Sequence, residues 1–103
     1  MDNQHRKISG YRELTQQEID LMNRIKALGP EIAGVLGDVR EHLRKQSDAA
    51  EVLTDNPETN TNGLAERDRL NAAQPFRWAN EAAIELQKGL MCLTRSVAQP
   101  TFF

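Results

Sequence analysis

Apolar residues return along this chain in steps of three and four, in two long runs separated by a polar interval. In the first run Leu21, Ile25, Leu28, Ile32, Val35 and Val39 alternate in this way. Such spacing keeps one side of an α-helix apolar and lays it against another helix. The helix has a marked start: Thr15-Gln16-Gln17-Glu18 reads as a capping box. Hydroxyl and carboxylate each accept from the other residue's backbone N–H, satisfying donors that a helix N-terminus leaves open. Leu14 and Ile19 flank the box as a hydrophobic staple, which fixes the direction of the preceding segment. Gly29-Pro30 interrupts the run; proline removes a donor and crowds the turn before it, so a helix over 15–46 is expected to kink near Pro30.

Residues 47–63, SDAAEVLTDNPETNTNG, carry too little apolar surface for a core element and enough Asp, Asn, Pro, Thr and Gly to read as a loop. A second helix is predicted over 64–99, with Pro75 either opening a new segment or kinking a continuous one. Beyond Pro75 the residues Phe76, Ala79, Ala83, Leu86, Leu90, Leu93 and Val97 repeat the threes and fours, and Ile84, Met91 and Ala98 widen the stripe. One hairpin partner covers a single side of such a stripe, so its excess width predicts association with further copies. The pattern as a whole predicts an all-α domain spanning 1–103: an N-terminal arm over 1–14 and two long helices in a hairpin.

Composition narrows the function more than the fold. With 103 residues and a net charge of −2, the chain lacks the basic face of a DNA- or RNA-polymer binder. A lone Cys92 allows no intrachain disulfide and builds no zinc motif, and no apolar run reaches membrane-spanning length. His5 and His42 have no nucleophile partner at a recognisable spacing, and Gly29, Gly34 and Gly37 lack the Lys-Ser/Thr of a phosphate loop. The reading is of a non-enzyme without a cofactor, in a reducing cytosolic setting.

Binding chemistry concentrates in the arm. His5-Arg6-Lys7 supplies cations, and Gly10 precedes Tyr11 and Arg12 just before the capping box. A tyrosine beside a helix start ordinarily packs; here its cationic neighbours suit it to stacking on a base, worth about 1–3 kcal/mol. Lys26, one step past Ile25, is either a solvated lysine or a point charge for phosphate held on a rigid helix. Arg67 and Arg69, with Glu66 and Asp68 beside them, read first as a polar helix face, and Trp78 as packing surface.

The stretches HRKISGYRELTQQEIDLMNRIKALG and RWANEAAIELQKGLMCLTRSVAQP resemble the phage anti-CBASS cyclic-nucleotide sponges, small helical proteins that sequester the cyclic oligonucleotide signals of bacterial antiphage immunity without cleaving them. The resemblance covers roughly the first and last thirty residues. It implies a homohexamer in the host cytoplasm that blocks CBASS effector activation. It also implies that cyclic dinucleotides such as cyclic GMP–AMP sit between pairs of subunits, with Tyr11 and Lys26 at the stacking and phosphate positions. Arg12, Lys7 and Arg6 add charge on the residues' own chemistry. A cyclic trinucleotide such as cyclic triadenylate would sit at a separate threefold site through Arg67, or Arg69 in another register; the family's threonine there is replaced by Leu28. The competing expectation, from the apolar stripe and the Phe102-Phe103 tip, is a helical protein–protein adaptor.

Overall fold

The computed structural model describes residues 12–101, so Lys7, Tyr11, Phe102 and Phe103 lie outside it. The described residues form a helical hairpin without strands: α1 (Gln16–Asp55), α2 (Asn60–Ala73) and α3 (Pro75–Ala98), the last two making one arm bent at Gln74. The expected capping box opens α1. Glu18 N–H donates to Thr15 Oγ1 at 3.2 Å, Thr15 N–H donates to Glu18 Oε1 at 2.9 Å, and Ile19 N–H begins the helical ladder on the Thr15 carbonyl. Pro30 lies inside α1, which continues past it.

The expected loop over 47–63 is corrected. Helix α1 runs on to Asp55, and only Asn56–Thr59 is non-helical before α2. An Arg44–Asp48 ion pair at 2.7 Å and the Thr54 hydroxyl, donating to the Ala50 carbonyl at 2.8 Å, accompany the extra turns. Ala50, at 2% exposure, anchors them. Pro57 then disfavours helical geometry at Asn56. Asn56 Oδ1 accepts from the Glu58 N–H at 2.9 Å, and the Thr59 hydroxyl donates back to the Leu53 carbonyl at 2.8 Å. Gly63 is buried against this turn: a β-carbon there would stand 2.4 Å from the Thr54 backbone nitrogen. Only glycine permits that approach.

At the bend, Pro75 opens a new segment rather than kinking a continuous one. Gln74 adopts left-handed geometry (φ 50, ψ 53), its N–H donates to the Leu70 carbonyl, and its own carbonyl accepts from the Trp78 N–H at 3.2 Å. One residue therefore ends α2 and begins α3, and Pro75 takes the first helical position, where no N–H is needed.

Contacts divide the chain into two units, Met1–Ile32 with Glu85–Phe103, and Ala33–Ile84. In the second, Ala50, Gly63 and Ala79 are buried. The first has no fully buried residue among those described. Along α1 the partly covered positions include Met22, Ile25, Gly29, Ile32, Leu36, Leu43 and Gln46, a heptad-like seam. The expected seam shares Ile25 and Ile32 with it, but Leu21, Leu28 and Val35 fall to one side and stay exposed. They repeat every seventh residue and form a second apolar line on the same helix. Trp78 and Met91 on α3 are likewise exposed, at 62% and 71%.

Candidate functional site

Lys26 lines an open groove of about 830 Å³ within the first unit. One helical turn of α1 supplies Met22, Ile25 and Lys26, and α3 supplies Leu90, Met91 and Arg95. The volume falls in the range of small-ligand sites, about 300–1,000 Å³. Among the described residues its charged side chains are Lys26 and Arg95, with no carboxylate. Apolar walls lower the local dielectric, so the Lys26 charge is felt more strongly by an anion than it would be in open water. The groove thus suits an anionic ligand with apolar surface.

Arg12 sits elsewhere in this unit and is engaged. Its Nη1 donates to Glu18 Oε1 at 3.2 Å, while Nη2 forms an ion pair with Oε2 and donates to the Val97 carbonyl at 2.7 Å. Its Nε is buried and has no partner among the described residues. Hydrogen bonding from Arg12, then from the Thr15 backbone N–H, holds the Glu18 carboxyl down to about 2, and the same carboxylate raises Arg12.

The residues expected at a trinucleotide site do not share one unit. Leu28 lines a mainly apolar groove with Leu21, Arg24, Ile25, Leu93 and Val97 in the first. Arg67, in the second, lines a hollow of about 340 Å³ with Ser47, Thr54, Asn71 and the carboxylates Glu51 and Asp55. Arg69 is tied to Glu66 in an ion pair that lowers the glutamate's pKa. Neither arginine stands in an environment as favourable to an anion as that of Lys26.

The Acb2/Tad1 hairpin-domain model matches residues 5–98. Anti-CBASS protein 2 of Pseudomonas phage JBD67 is 47% identical, with 97% of each chain covered. The chain belongs to the Acb2/Tad1 hairpin family. Its helical hairpin, expected from the periodicity and from the resemblance, is the fold this family name describes. The match takes in the capping box, Lys26 and the α3 wall of the groove.

Sequence reasoning singled out Lys26 but missed the groove's other cation, Arg95, and the side chains of Met22 and Met91 as its walls. The signal was present: Lys26 follows Ile25 on α1, and Leu90-Met91 and Arg95 fall one turn apart on α3. What was absent from the pattern was the register of one helix against the other. Among the described residues there is no cluster of His, Cys, Asp and Glu able to hold a metal, and no helix is long and apolar enough to cross a membrane.

Proposed function

We propose that this protein is a phage-encoded sponge, which binds cyclic oligonucleotide immune signals in the infected host's cytoplasm, leaves them uncleaved, and so withholds them from CBASS effectors. The observation that carries the reading is the Lys26 groove, whose lining among the described residues includes no carboxylate, in a relative of an anti-CBASS protein. A cyclic dinucleotide such as cyclic GMP–AMP presents two planar bases and two phosphates. Lys26 acts as a phosphate contact from α1, with Tyr11 stacking on a base and Lys7 adding charge. The exposed line of Leu21, Leu28 and Val35 supports self-association, and the hexamer follows from the family resemblance. An isologous pair of subunits supplies each group twice, matching a ligand of near-twofold symmetry.

A sponge must outcompete a receptor, which calls for nanomolar binding, about −12 kcal/mol. Two stacked bases supply about 2–6 kcal/mol of that. Charge-assisted contacts and enclosure between copies supply the remainder. Cyclic triadenylate is the second ligand of this proposal, through Arg67 and Leu28. Leu28 offers no side-chain hydrogen-bonding atom, and Arg67 shares its hollow with Glu51 and Asp55, so this binding is expected to be the weaker.

Calorimetry with cyclic GMP–AMP and cyclic triadenylate tests the reading. Tyr11→Ala and Lys26→Ala each abolish tight dinucleotide capture while the oligomer persists; unchanged affinity in both refutes the site. Denaturing the complex releases intact ligand, whereas linear product would reveal an enzyme. The exposed apolar lines also fit a helical adaptor, which predicts no thermal shift with any cyclic nucleotide.

A further inference from the structure

The guanidinium of Arg12 joins two helix ends. Glu18 lies in the first turn of α1, where a carboxylate meets the positive end of the helix dipole. Val97 lies in the last turn of α3, where carbonyls have no partner within the helix and a cation is favoured. Arg12 serves both with its terminal nitrogens, and its Nε is buried. Few donors are left for a phosphate arriving from solvent. Glu18 is itself fixed by its bond from the Thr15 N–H, so the strap is built on an already ordered cap.

We propose that Arg12 is a positioning residue for ligand capture and not a phosphate contact: it pins the base of the N-terminal arm to α1 and α3. This rests on the sponge reading above. Adjacent Cα atoms across a trans peptide are about 3.8 Å apart. Fixing Arg12 therefore fixes the attachment point of Tyr11, the neighbouring residue. A group delivered from a fixed point loses less freedom on binding than one on a loose tail.

Glu18 separates the two roles. If Arg12 touched phosphate, Glu18→Gln would release the arginine and remove a repelling charge, so an anionic ligand would bind more tightly. If Arg12 positions, the same variant loosens the strap and binding weakens. The experiment is calorimetry of cyclic GMP–AMP with the full chain at several salt concentrations, for wild type, E18Q, R12K, R12A, the R12A/E18Q double variant and K26A. Circular dichroism confirms helicity in each.

We expect E18Q and R12K to lose about tenfold or more in affinity, because R12K keeps the charge but not the fork that grips Glu18 and Val97 together. The double variant loses no more than R12A. K26A flattens the salt dependence and R12A leaves it unchanged. Wild-type binding combined with equal or tighter binding by E18Q overturns this inference and leaves the sponge reading standing. Wild type that binds no cyclic nucleotide overturns the sponge reading, and the inference with it. R12A bears on the outcome only if it folds; E18Q decides the matter without it.

Discussion

The unit within Ala33–Ile84 buries Ala50, Gly63 and Ala79, all small residues, and closes the hairpin turn. The unit that carries both chain ends has no fully buried residue among those described. It is tied by a polar strap instead, and it contains a large groove lined by Lys26 and Arg95, with no carboxylate among the described residues. The corresponding hollow by Arg67 has two carboxylates in its wall. Close approach of backbones and turn hydrogen bonds hold one unit with little side-chain volume. The other leaves its side-chain surface uncovered, where a ligand or a second copy can use it. Close packing and the proposed binding surface thus fall on different stretches of the same two helical arms.

The contrast is broken most forcefully at Gly63. A methyl group there meets the Thr54 backbone nitrogen at 2.4 Å, not the tip of a flexible side chain. Gly63→Ala should cost about 1–3 kcal/mol, the usual range for overpacking, and show as a clear fall in Tm by circular dichroism. A Tm equal to wild type would mean that the turn is not closely packed. At Gln74 the effect has the opposite sign and is smaller. A non-glycine residue held at φ 50 is strained, so Gln74→Gly should stabilise by about 1 kcal/mol in a denaturant titration.

The strap of the first unit gives the smallest effect, present near neutral pH and removed by acid. The Glu18 carboxyl is held at about 2 against an ordinary 4.5, so the folded state favours its charged form. The stability this contributes is complete above about pH 4.5 and is lost as pH falls toward 2. Glu41 and Glu66, lowered by Arg44 and Arg69, act in the same direction in the second unit. The measurement is therefore the difference between wild type and Glu18→Gln across that window. The wild-type advantage should shrink with acidification, and a constant difference would remove Glu18 from the linkage.

How much of this was legible in the sequence follows the range of each interaction. The capping box spans Thr15 to Glu18, needs no tertiary information, and is present as expected. The two helical arms follow from periodicity alone. The interval 47–63 was misjudged because its polar composition hides what sustains it: a buried Ala50, an Arg44–Asp48 pair and a glycine that fits against Thr54. The α1 seam was placed one step off for Leu21, Leu28 and Val35. Apolar residues lie on two adjacent lines of that helix, and the period does not say which line meets the partner arm. Lys26 was singled out as a phosphate ligand, yet its groove depends on residues of α3 that no local pattern links to it. The bond from Arg12 to the Val97 carbonyl is further from reach, since it crosses 85 positions and ends on a backbone atom that any side chain would carry.

The close fit at Gly63 has a practical corollary for anyone wishing to watch the molecule work. Asn56, Pro57 and Glu58 are exposed and belong to no helix, while the glycine a few residues later accepts no added atom. A dye or tether attached at Glu58 should ride on the outside of the turn without disturbing its fit. Moved five residues along, the same label would pry the arms apart.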